Sequence, residues 1–109
     1  MTPYRVRLVP HAMDDLVDIW EYLAANDSVE RADIMLREIE SRIESLTAVA
    51  LRGSVPAELE ELGEKAFRQL VQGTYRIVYT VTGQSVYVVL IADGRRDFQS
   101  LLQRRLLGG

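Results

Sequence analysis

The stretch from Phe67 to Leu107, FRQLVQGTYRIVYTVTGQSVYVVLIADGRRDFQSLLQRRLL, decides the fold of this 109-residue chain. Three apolar runs within it, Phe67–Val71, Tyr75–Val81 and Val86–Ala92, are typical of β-strands. Because only short turns separate these runs, the sequence predicts a three-stranded antiparallel meander. The segment from Asp97 to Leu107 has apolar side chains at helical spacing and predicts a C-terminal helix.

The first half of the chain predicts one strand and two helices. Tyr4 to Val9 alternates apolar and basic residues, as a half-buried strand does. Pro10 ends this strand and can open a helix, because its missing N–H costs nothing in the first turn. Ala12–Ala25 follows with the apolar stripe of an amphipathic helix. A second helix, capped by Asp27, is predicted to run to about Ala50. Because the turn between the two helices is tight, we expect an antiparallel helical hairpin.

These elements predict an α+β fold in which a small antiparallel sheet packs against the helical hairpin. The chain is short enough for one domain, residues 1–109. A polar connector from Ala57 to Lys65 links the hairpin to the meander, with one helical turn expected around Leu59 and Leu62. Tyr75 and Tyr79 share a strand face with apolar residues, which favours a place in the core. Hydrophobic residues make up 48% of the sequence, enough for a core without disulfides.

Charge is unevenly distributed along the chain. Residues 14–64 carry fourteen acidic and four basic side chains, whereas residues 65–109 carry seven basic and two acidic ones. The formal net charge is −3. This separation indicates two surfaces with different roles, an acidic helical one and a basic one formed by the sheet and C-terminus.

Several classes of function are disfavoured by composition. The chain has one histidine and no cysteine, so we expect no metal site, and no phosphate loop or nucleophile motif points to a cofactor. His11, at the start of the first helix, is more typical of a surface or capping residue than of a general base. The longest apolar run, Val86–Ala92, is too short to cross a bilayer. Nothing at the start resembles an export signal, so we expect a bacterial cytoplasmic protein without a membrane partner.

Short motifs occur in a characteristic order along nearly the whole chain. They are Tyr4-Arg5-Val6, His11-Ala12, Asp15-Leu16, Ile19-Trp20-Glu21-Tyr22, Phe67-Arg68, Tyr75-Arg76-Ile77-Val78-Tyr79, Gly94-Arg95-Arg96-Asp97 and Arg105-Leu106. In order and spacing they resemble the ParE/RelE toxin superfamily of bacterial type II toxin–antitoxin systems, and ParE more than RelE. The resemblance implies the fold described above and one of two activities. RelE-like members cut messenger RNA in the ribosomal decoding site, whereas ParE-like members poison DNA gyrase without being hydrolases.

The residues favour gyrase poisoning. The resemblance implies that ribonuclease chemistry needs several cations around the phosphate and a tyrosine in the C-terminal helix. Arg76 and Arg96 match two of the cations and the second strand supplies only Arg68, but Leu102 stands where the tyrosine belongs. A net negative charge also disfavours docking into ribosomal RNA. We therefore expect no catalytic residues. The alternatives are a ribonuclease that uses Arg68, Arg76 and Arg96, and a non-toxic member that only binds its partner.

Target binding is predicted for the basic side chains of the C-terminal third. These are Arg68, Arg76, Arg95, Arg96 and Arg105. They would form one basic face toward gyrase, DNA or an acidic partner. The competing interpretation is local pairing, for example of Arg76 with Asp97 or Glu64.

The resemblance also implies a cognate, ParD-like antitoxin, and it leaves a homodimer and a toxin–antitoxin heterotetramer open. An amphipathic helix of the antitoxin would lie against the helical hairpin, or a strand would extend the sheet. The residues predicted to bind it are Ile19, Trp20, Leu23, Ile34 and Leu106. Leu101 and Leu102 are expected instead to be buried against the sheet.

Overall fold

The computed structural model describes residues 3–107 and confirms the α+β class and the element order. In chain order the elements are β1 (Arg5–Leu8), α1 (Pro10–Asn26), α2 (Val29–Glu44), a 3-10 turn (Ser45–Thr47), α3 (Ala57–Glu60), β2 (Phe67–Gln72), β3 (Tyr75–Thr82), β4 (Ser85–Asp93) and α4 (Phe98–Leu106). Among these, α3 is the predicted helical turn; it includes Leu59 but not Leu62.

The sheet has four strands in the order β1-β4-β3-β2. The meander of β2, β3 and β4 is antiparallel, as predicted, with Leu70 opposite Ile77 and Ile77 opposite Ile91. The expectation of a wholly antiparallel sheet is wrong, because β1 pairs in parallel with β4, Leu8 lying opposite Val88. Parallel pairing needs a long crossover connection, and the intervening helices supply one.

The helix boundaries differ from the predicted ones for local reasons. Helix α1 begins two residues before the predicted apolar stripe, at Pro10, which was expected to be able to open it because it has no N–H to leave unpaired. The cap of α2 is Ser28 rather than Asp27: the Ser28 hydroxyl accepts a hydrogen bond from the Arg31 N–H at 3.0 Å. Asp27 instead closes α1 by donating its N–H to the carbonyl of Leu23.

Helix α2 ends at Glu44, short of the predicted Ala50. The Ser45 hydroxyl donates to the Arg42 carbonyl at 2.5 Å, and the Thr47 hydroxyl donates to the Glu44 carbonyl at 2.8 Å. Hydroxyl groups that bond the backbone in this way compete with the α-helical ladder, and the chain tightens into a 3-10 turn.

Apolar side chains cover both faces of the sheet. The inner face packs on α1 and α2, and the buried residues of this inner cluster include Ile39 of α2 and the sheet residues Ile77, Tyr79 and Val88. The outer face packs on α4 and α3. The buried residues of this outer cluster, from the sheet and from both helices, are Leu59, Val78, Leu90, Ala92, Phe98, Leu101 and Leu102. The predicted burial of Tyr75 and Tyr79, and that of Leu101 and Leu102, is therefore confirmed.

A β-bulge interrupts the pairing of β3 with β4. Val78 lies opposite Leu90 and Tyr79 opposite Val88, so Val89 is an extra residue in β4. On the other side of β4, β1 ends opposite Val88. The edge of β4 beyond Val88 therefore has no neighbouring strand, and side chains satisfy its backbone groups, as described below.

Candidate functional site

The sheet divides the five arginines that were predicted to form one basic face. Arg68 lies opposite Tyr79, and Arg76 lies opposite Val71. Successive strand residues point to opposite sides, and Tyr79 belongs to the inner face, so Arg68 is on the inner face and Arg76 on the outer one. These two side chains therefore do not converge on a common phosphate.

Arg76 is held on the outer face by contacts from three directions. Its Nη1 and Nη2 atoms each donate to the Glu58 carboxylate at 2.8 Å, and its Nε donates to Gln69 Oε1 at 2.7 Å. The guanidinium carbon lies 3.8 Å from the centre of the Phe98 ring, in the geometry of a cation–π contact. Glycine is needed at position 94, since a Cβ there would lie 2.5 Å from Arg76 Cδ. Only 14% of the side chain is exposed.

The ion pair of Arg76 also acts on its partner. The hydrogen bonds from Arg76 lower the pKa of Glu58 below its ordinary value, against a smaller opposing effect of burial. The sequence suggested Asp97 or Glu64 as the partner of Arg76 and did not identify Glu58. The irregular connector between α2 and β2 has no periodic pattern that would show which of its side chains reach the sheet. Asp97 instead caps α4 and accepts a hydrogen bond from the Ser100 N–H.

Arg68 ties the loop after the 3-10 turn to the sheet. Its Nη1 donates to the Gly53 carbonyl at 2.7 Å, and the Gly53 N–H donates to the Tyr79 hydroxyl at 3.0 Å. Burial raises the pKa of the Tyr79 phenol. A Cβ at position 53 would lie 2.5 Å from the Gln69 carbonyl oxygen, so glycine allows this close approach. The contacts of Arg68 are thus structural ones to the backbone.

Arg105 joins α4 to the free edge of β4. Its guanidinium forms two hydrogen bonds to the Asp15 carboxylate, the shorter 2.8 Å, and donates to the Val89 carbonyl at 3.1 Å. The same carboxylate accepts the Ile91 N–H at 2.9 Å. Arg105 and Asp15 thereby satisfy two backbone groups at the bulge, and both side chains are largely buried.

Asp15 was not predicted as an inward-facing residue, although the sequence contains a signal for it. Ala12, Asp15 and Ile19 follow helical spacing, so a carboxylate interrupts the buried side of α1. A charge in such a position needs a partner. The partner, Arg105, lies ninety residues away in sequence, and no local pattern identifies it.

The turn between β4 and α4 presents the exposed arginines of the predicted basic face. Arg95 donates to the Asp93 carboxylate at 2.6 Å, yet 75% of its side chain is exposed. The hydrogen bond from Arg95 lowers the pKa of Asp93. Arg96 is exposed and belongs to none of the three ion pairs formed by residues 3–107. Of the five predicted arginines, these two are the most available to a partner.

An apolar groove of about 770 Å³ runs between β1, α1 and α2. Its lining is mostly apolar with three carboxylates, and consists of Leu8, Met13, Asp14, Leu16, Val17, Trp20, Glu21, Leu36 and Glu40. Met13 and Val17, one helical turn apart on α1, are 56% and 53% exposed and add apolar surface to the groove. Trp20 lies in the groove and donates its indole N–H to Asp33 Oδ1 at 2.8 Å, linking α1 to α2.

The five predicted antitoxin-binding residues do not share one surface. Trp20 lines the groove, whereas Ile19 and Leu23 pack on the inner core. Ile34 is exposed and lies outside the groove lining, and Leu106 packs against the outer cluster with α4. The helical hairpin has more apolar residues than one sheet face needs. Met13 and Val17 belong to this surplus and lie exposed in the groove, but they were not among the five predicted residues.

Among residues 3–107, no group of three histidine, aspartate or glutamate side chains is placed to hold a metal ion. No helix in that range is long and apolar enough to cross a membrane.

Comparison with known proteins identifies the family. The sequence profile described as "ParE toxin of type II toxin-antitoxin system, parDE" matches residues 6–98. The chain belongs to this ParE toxin family. A search of curated proteins with the sequence of this chain finds no match.

Solved structures share the fold at low sequence identity. A chain of the chromosomal ParDE toxin–antitoxin system of P. aeruginosa superposes with a TM-score of 0.70 at 19% identity, over 83% of this chain and 95% of that one. A chain of the RelBE2 toxin–antitoxin complex of Mycobacterium tuberculosis gives 0.59 at 20% identity, over 84% and 99%. A double-arginine mutant of the E. coli toxin RelE in the free state gives 0.61 at 12% identity, over 96% and 100%. This ParE-family toxin therefore has the fold that both ParE and RelE proteins adopt.

Proposed function

We propose that this ParE-family toxin poisons DNA gyrase and is neutralised by a cognate antitoxin. The observation that carries the proposal is the state of Arg76. Its guanidinium is bound by Glu58, Gln69 and Phe98, so it presents no free charge to a phosphate. A ribonuclease of the RelE type would need this arginine at its centre.

Two further features support a binding toxin over a nuclease. Arg68 lies on the opposite face of the sheet from Arg76 and bonds the Gly53 carbonyl. Leu102, at the position that corresponds to the nuclease tyrosine in the resemblance, is buried and brings no proton donor. Of the three arginines in the nuclease hypothesis, Arg96 alone is exposed.

We assign the target contact first to Arg95 and Arg96. They lie side by side in the exposed turn before α4, and exposed arginines suit contacts with carboxylates or phosphates. Arg68, Arg76 and Arg105, also predicted to bind the target, are engaged within the fold. We expect substitution of these three arginines to lower the stability of the fold, and to affect target binding only as a consequence.

We assign antitoxin binding to the groove between β1, α1 and α2, which Trp20 helps to line. The ParDE and RelBE2 structures of the same fold come from toxin–antitoxin systems. Asp14, Glu21 and Glu40 border the groove, so an amphipathic helix with apolar anchors and flanking lysines or arginines would be complementary to it.

The test is a gyrase assay with purified components, in which supercoiling and cleaved DNA are followed with and without the protein. We expect loss of supercoiling and accumulation of cleaved DNA, and both should disappear when a purified cognate antitoxin is added. If gyrase is unaffected while messenger RNA is cut in a translating extract, the protein is a ribonuclease and the proposal is wrong.

A further inference from the structure

Helix α4 leaves part of the outer sheet face uncovered. That helix packs near Val78, Leu90 and Ala92, toward the end of β4 that leads into it. At the other end, a row of outward-facing residues crosses all four strands: Arg7 lies opposite Tyr87, Tyr87 opposite Thr80, and Thr80 opposite Phe67, which packs partly against the outer cluster. We call Arg5, Arg7, Tyr87 and Thr80 the open sheet surface.

The placement of these side chains follows from strand alternation. Val6 and Leu8 pack on the inner core, so Arg5 and Arg7 of the same strand point outward. Val86 and Val88 are likewise buried in the inner core, which turns Tyr87 to the same outer side. Tyr87 is 36% exposed, and both arginines are exposed. An aromatic ring therefore lies beside two cations on a solvent-facing sheet.

The positive charge of the open sheet surface is not neutralised by its surroundings. The three ion pairs among residues 3–107 include neither Arg5 nor Arg7. Their partners in register, Ser85 and Tyr87, are uncharged. The two arginines are separated by about 6.6 Å along the strand, since each residue of a parallel strand advances about 3.3 Å.

We propose that the open sheet surface binds single-stranded nucleic acid. Sheets that bind unpaired strands combine exposed aromatic rings, on which bases stack, with arginines that contact the backbone phosphates. Tyr87 supplies the ring, and Arg5 and Arg7 supply the cations. The Thr80 hydroxyl, next in the row, donates to the Ala66 carbonyl at 2.8 Å and is left with acceptor capacity only. An acidic protein segment would use the arginines but would not need the ring, so the aromatic residue favours a nucleic acid. The inference concerns a second surface and does not rest on gyrase as the target.

The experiment is fluorescence anisotropy of the full chain with a labelled oligothymidylate and a labelled oligouridylate, over a range of salt concentrations and without gyrase. We expect binding that weakens with salt. In Arg5→Gln/Arg7→Gln the dependence of log K on log salt should be shallower by about 1.4, because each phosphate contact to a single strand contributes about 0.7. In Tyr87→Leu binding should fall roughly tenfold, the scale of one stacked base, and in Tyr87→Phe it should be retained.

A matched control is Arg31→Gln/Arg37→Gln, which removes two exposed arginines from α2. It should leave binding unchanged, and circular dichroism should show that all variants melt as the wild type does. Absence of binding, or an equal loss in the α2 variant, would overturn the proposal. Normal binding by the Tyr87→Leu variant would also overturn it, because the aromatic ring would then play no part. Competition by polyglutamate as effective as that by oligonucleotide would do the same, because the surface would then bind anions in general. If Tyr87→Leu fails to fold, Tyr87→Gln provides the same comparison.

Discussion

Arg76 shows how an arginine on a strand can hold the fold together instead of presenting its charge to solvent. Its guanidinium carbon lies over the Phe98 ring, and the group is paired with Glu58. The planar, bidentate geometry of arginine makes this contact stronger and more specific than a lysine could. The residue therefore links α3, β2, β3 and α4 rather than exposing a charge.

The Arg76–Glu58 pair predicts a pH-dependent contribution to stability. In Glu58→Gln the free energy of unfolding at pH 7 should fall by roughly 1.5 kcal/mol, the scale of a hydrogen bond to a charged group. The pKa of Glu58 is lowered in the folded protein, so the pair stabilises fully above the ordinary value of 4.5. Its contribution is lost as pH falls through the lowered folded value.

Urea unfolding of wild type and Glu58→Gln from pH 7 to pH 3 tests this expectation. The difference between the two proteins should shrink on acidification. Glu60→Gln, an exposed carboxylate of the same helix, is the control and should track the wild type throughout. A difference that stays constant across the pH range would show that Glu58 stabilises by packing rather than by charge.

Gly53 is a second residue whose identity is determined by close contacts. A Cβ at this position would lie 2.5 Å from the Gln69 carbonyl oxygen and 2.7 Å from the Tyr79 hydroxyl. Gly53→Ala should therefore lower the free energy of unfolding by about 2 kcal/mol, a typical cost of overpacking. Thermal or urea unfolding measures the effect.

A double-mutant cycle with Tyr79→Phe tests the cause. Removing the hydroxyl relieves one of the two clashes, so the double variant should be more stable than the sum of the single effects predicts. Strict additivity would contradict the proposed contact.

At the scale of elements, one ion pair ties α4 to α1 and to the edge of β4, in addition to the apolar packing of α4 on the outer sheet face. Arg105 of α4 and Asp15 of α1 meet at the bulge of β4 and bond the two backbone groups that have no strand partner there. Parallel pairing of β1 with β4 stops at Val88, so the pair completes the edge that β1 leaves open.

Loss of the carboxylate should be costly. Asp15→Ala leaves the Arg105 charge and the Ile91 N–H without their partner, and breaking a mostly buried pair costs about 3 kcal/mol. Asp18→Ala, an exposed acid of the same helix, should change the free energy of unfolding by less than about 0.5 kcal/mol. Hydrogen exchange should show faster opening of α4 in Asp15→Ala. Equal stability of the two variants would mean that the contact contributes nothing.

A substitution in the groove between β1, α1 and α2 should weaken antitoxin binding without lowering the stability of the fold. Val17→Glu places a charge on a side chain that is 53% exposed, so we expect little change in melting temperature. The same change should weaken binding of a purified cognate antitoxin at least tenfold, because it puts a carboxylate at an apolar contact already bordered by acids.

Calorimetry of antitoxin binding to wild type and variant measures this effect. Ile34→Glu is the control: it also adds a charge to an exposed apolar residue of the hairpin, but outside the groove. Equal losses in both variants would place the antitoxin over a wider surface than the groove.

At the scale of the whole molecule, charge is separated between the helices and the rest of the fold. Three acidic residues of α1 and α2 line the groove, whereas exposed arginines lie in the turn before α4 and on β1. Under the proposed function, separate surfaces of opposite charge would recognise the antitoxin and the target.

Substitution of the exposed arginines in the turn before α4 should reduce gyrase poisoning and leave the fold intact. Arg95→Gln/Arg96→Gln should raise the toxin concentration needed for half-maximal inhibition of supercoiling by about tenfold, the effect of roughly 1.4 kcal/mol. Arg31→Gln/Arg37→Gln on α2 serves as the matched control and should inhibit as the wild type does. Full activity of the Arg95→Gln/Arg96→Gln variant would remove this turn from the target contact.

The sequence by itself determined the element order, the antiparallel meander, the burial of Tyr75 and Tyr79, and the ParE family. Each of these depends on local periodicity, on turns, or on motifs whose order the chain preserves. Only the tertiary structure decided that β1 pairs in parallel, that the Asp15 side chain is buried, and that Arg68 and Arg76 lie on opposite faces of the sheet. Those features depend on which distant segments come into contact. The sequence around Glu58 or Arg105 does not show which residue each one pairs with. Charge pairing acts through space, and only the folded chain sets the distances over which it acts.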